Sequence, residues 1–359
     1  MSLFSHSEIN TGRQAAVDMA KFFAIVFMVI IHTIEGGDGN VDSGAGYFFD
    51  CVTGGLFAAP VFMAAMGIGI AYSRHADAGT MLRRGGKLLL AGYLLNAVRA
   101  LPVLALVWLK GDDSYYARTV YELTANDILH FAGMAFLLMG LLKSLKLNMW
   151  WTFFVAAALS VTGHFVRMVD TGNFWLNLVL SPFVGVDSEL VYSFFPLLNW
   201  FMFVVAGYGM GWLIRRCKNL NRLFLLATPV AVIAFGAYVA YAVPNGWGMF
   251  GGGGPETFYQ MRLPELGVCL ICVVISLGVG HFLAMLLGGT VMPRVTRICT
   301  DLTRIYIVSW IIIMWLLYVP VTNYLEIELG IWPLVGISIV IMGISVLLAR
   351  VRPLSTLKI

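Results

Sequence analysis

The chain has 359 residues, of which 60% are hydrophobic and only 12% are charged. Soluble domains carry about 25% charged residues, so this composition excludes an ordinary soluble fold and indicates a membrane domain. The formal net charge of +4 does not point to nucleic acid, because in a membrane protein the distribution of charge matters more than its sum. The first apolar segment carries Asp18 and Lys21 and lacks a cleavage site directly after it, which favours a permanent helix over a cleaved signal peptide.

Ten apolar segments follow one another along the chain, each close to the roughly 20 residues that a spanning helix needs. The fourth and fifth are short and are predicted to form a tight helical hairpin. A further apolar stretch at 173–186 is too short to span and is interpreted as an interfacial or re-entrant piece. We therefore predict an all-α polytopic bundle, a single domain over residues 1–359, with spans at 16–34, 53–73, 86–108, 128–145, 149–166, 194–214, 223–243, 265–288, 302–320 and 330–349.

The connecting segments alternate in charge. Glu35 to Asp50 contains four acids and no Lys or Arg, whereas Arg74 to Lys87 contains four basic residues and one acid. The alternation continues to the basic C-terminus, and basic loops remain cytoplasmic. The charges therefore predict that both termini are cytoplasmic. They also support the count of ten, because a missed helix would place the later basic loops on the outer side.

Polar residues inside the apolar segments are candidates for function, because a charge at the bilayer centre costs at least about 2.5–3.5 kcal/mol. In the first segment, Asp18 and Lys21 lie on one helix face and can simply pair with each other. His32 follows about 16 Å further along the helix axis, near its outer end. On its own, His32 is as readily interpreted as a hydrogen-bonded packing residue as a functional one.

Two other helices carry polar pairs at a spacing of three. Asn96 and Arg99 share a face of the third helix, and Asp127 and His130 open the fourth. A carboxylate beside an imidazole is a common general acid/base arrangement, although Asp127 is also placed to cap the helix. At the inner end of the third helix, Arg83, Arg84 and Lys87 either follow from cytoplasmic topology alone or hold the phosphates of a nucleotide-like donor.

Neither a metal site nor a redox site is predicted. HxxxH, HExxH and His/Cys clusters do not occur in the sequence. Cys269 and Cys272 form a CxxC motif, but it lies within an apolar helix and is interpreted as packing. A glycine run at 251–254 precedes no Lys-Ser or Lys-Thr pair and is interpreted as a turn.

The order of several motifs resembles the transmembrane acyltransferase superfamily. Lys21, ten residues and His32 resemble the acyltransferase-3 signature of Arg, ten residues and His, with Lys in the place of Arg. The other motifs resemble those of the wider superfamily, which includes the heparan-α-glucosaminide N-acetyltransferase-like proteins: Pro60, Phe62 and Gly67; Asp127, His130 and Gly133; Pro196 and Trp200 followed by Gly207, Gly209 and Gly211; and Arg304 with Tyr306.

The resemblance implies an enzyme that uses cytoplasmic acyl-CoA, normally acetyl-CoA, to acylate a sugar or glycan hydroxyl or amine, often across the membrane. A multi-pass position in a bacterial inner (cytoplasmic) membrane is expected. His32 would be the general base or a transient acyl carrier, assisted by Asp127 or His130. The donor would be held by residues near the inner face and on the third helix: Lys21, Arg83, Arg84, Lys87 and Arg99.

Aromatic residues of the outer loops are candidates for stacking on a sugar acceptor, or for anchoring in the membrane interface. They are Tyr115, Tyr116, Tyr121, Phe174, Trp175, Trp247, Phe258 and Tyr259. A transporter or flippase is the main alternative function, although the two halves show no convincing internal repeat. A non-catalytic membrane partner and a homo-oligomer are both left open by the sequence.

Overall fold

The computed structural model describes residues 3–39, 41, 44–74, 77–246 and 258–351. Trp247 and the glycine run at 251–254 lie outside them. Within the described ranges the regular structure is helical, as predicted, and extended pairing is limited to isolated bridges. In chain order the helices are α1 (Ala15–Gly36), α2 (Gly44–Tyr72), α3 (Ala78–Lys110), α4 (Ser114–Thr124), α5 (Ile128–Ser144), α6 (Met149–Phe165), α7 (Phe174–Leu180), α8 (Leu197–Arg216), α9 (Leu220–Ala242), α10 (Leu263–Thr300), α11 (Leu302–Tyr324) and α12 (Ile331–Leu348).

Eight of these helices, all except α4 to α7, are long and apolar enough to cross a membrane. They coincide with eight of the ten predicted spans. The other two predicted spans form α5 and α6, which have 17 residues each and are joined by a tight connection. At about 1.5 Å per residue each reaches roughly 26 Å, slightly less than the hydrocarbon thickness. The count of ten spans and their orientation therefore stay predictions.

Several helices depart from the predicted boundaries, among them α3, which begins at Ala78 rather than at residue 86. Helix α2 begins at Gly44 rather than near residue 53, because a π-helical stretch over Phe48–Leu56 precedes its regular part. Helix α10 extends to Thr300 and bends at Gly288, whose φ of 56° suits a residue without a side chain. Helix α4, in the loop between α3 and α5, was not predicted, whereas α7 lies within the predicted interfacial piece.

Side-chain caps begin the helices that follow the basic connections. The Asp77 carboxylate accepts a hydrogen bond from the Thr80 backbone N–H at 2.9 Å at the start of α3. Asn148 and Asn219 cap α6 and α9 in the same way. These caps satisfy backbone donors that would otherwise lack partners, which explains why each helix begins where it does.

Helix α1 is central to the bundle and packs against α2, α10, α11 and α12. Helices α2 and α8 cross backbone to backbone at Gly67 and Gly207. A Cβ at Gly67 would lie 1.9 Å from the Val204 carbonyl oxygen, and one at Gly207 would lie 1.9 Å from that of Ala64. Small residues at such crossings are the usual basis of close packing between membrane helices. This packing leaves one cavity toward the basic loops and another toward the acidic loops.

Candidate active site

The larger cavity opens toward the basic loops and is called here the basic-end cavity. It has a volume of about 560 Å³. Three cationic side chains line it, Lys21 from α1, Arg84 from α3 and Arg304 from α11, together with Asp301. Its deeper wall is apolar and comes from α1, α2, α3, α5 and α11: Met28, Phe62, Met63, Met66, Ile70, Leu88, Leu129, Phe131, Phe136 and Tyr306.

The predicted donor-binding residues divide into three groups. Lys21 and Arg84 line the basic-end cavity, and the Arg84 guanidinium lies 4.6 Å from the ring centroid of Phe136. Arg83 and Lys87 belong to the same turn region of α3 but are exposed and do not line it. Arg99 lies toward the opposite end of α3, about 22 Å from Arg84 along the helix axis. Arg99 lines the smaller cavity toward the acidic loops instead, and its assignment to donor phosphates stays a prediction that this placement does not support.

The expected Asp18–Lys21 pair is corrected. The Asp18 carboxylate instead accepts hydrogen bonds from Arg13 at 2.6 and 3.0 Å and from the Thr296 hydroxyl at 3.0 Å. The hydrogen bond from Arg13 raises the pKa of that guanidinium, which stays charged. Because Asp18 is engaged with residues before and beyond its own helix, Lys21 can direct its ammonium group toward the cavity.

The smaller cavity opens toward the acidic loops and is called here the acidic-end cavity. It has a volume of about 160 Å³ and contains His32. The His32 Nδ1 atom lies 3.0 Å from Oε2 of Glu35, one helical turn further along α1. The imidazole ring also lies against Trp310, with the ring centroids 4.2 Å apart. His32 is thus fixed on two sides, by a carboxylate and by an aromatic ring.

A buried ionic network forms the neighbouring wall of the acidic-end cavity. Arg99 donates to Glu122 at 2.7 Å and to Asp127 at 3.1 Å, and its guanidinium lies 3.9 Å from the ring centroid of Trp310. Arg118 reaches the other oxygen of Glu122 at 2.8 Å. Burying several charges is favourable only when each has a partner, and this network provides one for each. Arg99 is therefore held in a fixed position in the cavity wall beside His32.

The predicted Asp127–His130 pair has a different geometry from the one expected. The two side chains form a reciprocal cap at the start of α5, in which His130 Nδ1 accepts from the Asp127 backbone N–H at 3.3 Å. The Asp127 carboxylate points to Arg99 and Tyr306 instead. Asp127 lines the acidic-end cavity, whereas His130 lines neither cavity. The structure thus shows His130 as a capping residue, and its catalytic role stays a prediction without support from this geometry.

Tyr306 and Asp127 form a partition between the two cavities. Tyr306 lines the basic-end cavity, and its hydroxyl donates a hydrogen bond to the Asp127 carboxylate, which lines the acidic-end cavity. Among the described residues, none lines both cavities. Tyr306 and Asp127 are a directly hydrogen-bonded pair with one member in each lining.

Aromatic side chains complete the acidic-end cavity, and two of them come from the predicted stacking residues, Tyr121 and Tyr259. Burial raises the pKa of both phenols, so each stays protonated and can donate a hydrogen bond. The remaining aromatic members are Phe194, Phe195, Trp310 and Tyr318. Rings and hydroxyl groups around a small cavity suit a sugar-like molecule, which has both apolar faces and hydroxyl groups.

Sequence reasoning missed Glu35, Glu122 and Trp310. Glu35 was counted only as a loop acid, although its spacing of three from His32 was a usable signal. Glu122 and Trp310 reach the site from α4 and α11, and no local pattern indicates such distant contacts. Among the described residues, no cluster of three or more His, Cys, Asp or Glu side chains is arranged to hold a metal ion.

The described helices form a multi-pass membrane protein with a cationic cavity toward one end and a histidine-containing cavity toward the other. Residues 13–243, more than half of the chain, match the family described as heparan-alpha-glucosaminide N-acetyltransferase, catalytic. The chain belongs to this family, and the resemblance noted for its motifs is confirmed to that extent. No curated protein and no solved structure matches the chain.

Proposed function

We propose that the protein transfers an acetyl group from acetyl-CoA to a hydroxyl or amine of a sugar, with a glucosamine-type sugar as the first candidate acceptor. The observation that carries the proposal is the pair of cavities that approach each other at Tyr306 and Asp127, with His32 immediately beyond. The family description, which names an N-acetyltransferase of a glucosaminide, supports the same acceptor class.

The basic-end cavity has the chemistry that a CoA thioester requires. Lys21, Arg84 and Arg304 lie where phosphates would be bound, since both ammonium and guanidinium groups are strong phosphate donors. The apolar wall beyond them suits the pantetheine arm. The distance of about 16 Å from Lys21 to His32 along α1 is comparable to the length of such an arm. The thioester would therefore reach the partition, close to His32.

His32 acts as the general base in the proposed reaction. Its free nitrogen removes the proton from the acceptor hydroxyl or amine, whose lone pair attacks the thioester carbonyl carbon. The new C–O or C–N bond forms, the C–S bond breaks, and the departing CoA thiolate takes up the proton that His32 carries. A well-placed base contributes about 10²–10⁴-fold to such a rate. Transient acetylation of the same nitrogen is the two-step form of this mechanism.

Ligand binding and transfer can be tested separately on the detergent-purified protein. Acetyl-CoA and CoA should each raise the thermal midpoint, because a ligand that binds only the folded state stabilises it, whereas ATP should have a smaller effect. Incubation with [14C]acetyl-CoA and glucosamine should yield labelled sugar. The absence of any shift with millimolar acetyl-CoA would contradict the donor assignment.

The role of His32 is tested by His32→Ala, which should lower the transfer rate by about 10²–10⁴-fold, to a small residual rate, while the acetyl-CoA shift persists. His281→Ala is the matched control, because His281 bonds to Asn221 between α10 and α9 and lines neither cavity. Transfer at the normal rate in His32→Ala would remove His32 from the mechanism. Accumulation of labelled glucosamine in proteoliposomes without acetylation would favour a transporter instead.

A further inference from the structure

The orientation of the His32 ring follows from its contact with Glu35. A carboxylate only accepts hydrogen bonds, so the Nδ1 atom at 3.0 Å from Oε2 of Glu35 must carry the hydrogen. In a neutral imidazole the other nitrogen, Nε2, then carries the lone pair. The contact therefore selects the tautomer whose basic nitrogen points away from Glu35 and is available to a reacting group.

The contacts of the neighbouring carboxylates show why Glu35 is the one that hydrogen-bonds to His32. Among the described residues, three carboxylates line the acidic-end cavity. Glu122 and Asp127 are both bonded to Arg99, and Asp127 also accepts from Tyr306. Glu35 remains, and its side chain is 36% exposed while that of His32 is 14% exposed. The pair thus borders the cavity at the end of α1, with His32 largely buried and Glu35 at the exposed rim.

We propose that Glu35 is a positioning residue for the acetyl transfer, holding His32 in the Nδ1–H tautomer with Nε2 directed to the acceptor. Trp310 fixes the other side of the ring, so that rotation away from Glu35 is blocked. In enzymes with a Ser-His-Asp triad, a carboxylate–imidazole pair of this kind orients the base and stabilises its protonated form. This inference rests on the proposed function, because it requires His32 to be the base.

The test compares Glu35→Gln, Glu35→Asp and Glu35→Ala in the transfer assay with [14C]acetyl-CoA and glucosamine. Glu35→Gln keeps the side-chain shape and should lower kcat by about 10–100-fold, the usual loss when an orienting partner is removed. The KM values for both substrates should stay unchanged. Glu35→Asp retains the carboxylate and should recover part of the rate, whereas Glu35→Ala should not. Glu328→Gln, an exposed carboxylate of the loop before α12, is the control and should behave as the parent protein.

A double variant separates positioning from direct contact with the acceptor. If Glu35 acts through His32, adding Glu35→Gln to His32→Ala should leave the residual single-turnover rate unchanged, because the group that it positions is already absent. A raised KM for glucosamine with additive losses would instead mean that Glu35 binds the acceptor, and would overturn the proposal. A fully active Glu35→Gln would overturn it as well.

The outcome for Glu35 can be distinguished from failure of the proposed function. If His32→Ala lowers transfer to the residual rate and Glu35→Gln does not lower it, only the positioning role is wrong. If His32→Ala retains the normal rate of transfer, the base assignment itself is wrong. The acetyl-CoA thermal shift of each variant shows that it is folded, so a lost rate cannot be attributed to unfolding.

Discussion

Arg99 shows how a single residue can hold the site together. Its guanidinium joins Glu122 of α4 to Asp127 at the start of α5, and both ion pairs are buried. In Arg99→Met, Glu122 would keep Arg118 as its cationic partner, and Asp127 would keep only uncharged donors, the Tyr306 hydroxyl and the Ile128 backbone N–H. Removing one member of a buried ionic network costs about 3–5 kcal/mol, so the thermal midpoint in detergent should fall markedly.

Arg83→Met is the control for this experiment, since it removes an exposed cation from the same helix. It should leave the midpoint nearly unchanged, because isolated exposed charges contribute little to stability. Equal midpoints for Arg99→Met and Arg83→Met would show that the network does not stabilise the fold.

For single residues, the sequence indicates which side chains are functional candidates better than it indicates which residues they contact. The cost of placing charge in an apolar helix singled out His32, Lys21 and Arg99. It did not reveal that Arg99 contacts Glu122 and Asp127, because these lie 23 and 28 residues further along the chain. The donor role expected for Arg99 stays a prediction, and the structure places its side chain in the lining of the acidic-end cavity.

At the scale of elements, the crossing of α2 and α8 depends on glycine at one specific turn. Gly67→Ala would place a methyl group 1.9 Å from the Val204 carbonyl oxygen, and a backbone atom cannot move aside as a side chain can. Overpacking of this kind costs about 1–3 kcal/mol, and more where backbone must shift. We expect a lower thermal midpoint and reduced acetyl-CoA stabilisation, since α2 also lines the basic-end cavity.

Gly69→Ala provides a closely matched control, two residues further along the same helix. Among the described residues, no atom outside its own helix backbone lies within 4 Å of a Cβ at Gly69, and alanine is the better helix former. Gly69 lines the basic-end cavity, so the comparison uses the thermal midpoint without ligand. This variant should be as stable as the parent or slightly more stable. Similar losses in both variants would mean that the helix itself, rather than the crossing, is sensitive to substitution.

Helix positions were predicted well because the length of an apolar run is a strong local signal. Boundaries were less accurate where the backbone departs from a regular α-helix, as at Phe48–Leu56 in α2 and Gly288 in α10. Helix α4 is amphipathic and too polar to stand out, yet it contributes Arg118, Tyr121 and Glu122 to the site. Helix α4, which lies outside the predicted spans, thus supplies part of the wall of the acidic-end cavity.

For the whole molecule, the alternating loop charges predict which end faces the cytoplasm. The five native cysteines are all buried and free, so a single introduced cysteine can be labelled above a low background. In intact cells, Glu328→Cys should react with a membrane-impermeant maleimide, and Arg83→Cys should react only after permeabilisation. The reverse result would invert the orientation and place the basic-end cavity on the side without acetyl-CoA.

The partition between the cavities has a consequence for the membrane itself. A membrane protein with a cavity at each end must still keep the two compartments electrically separate. Here the separating layer includes Tyr306, Asp127 and the side chains around them. Where water fills both cavities, most of the membrane voltage falls across this layer. Moving one elementary charge through that voltage changes its free energy by about 2.3 kcal/mol per 100 mV. The Asp127–Arg99 ion pair lies at this layer, so a voltage across it would act on two charges that neutralise each other.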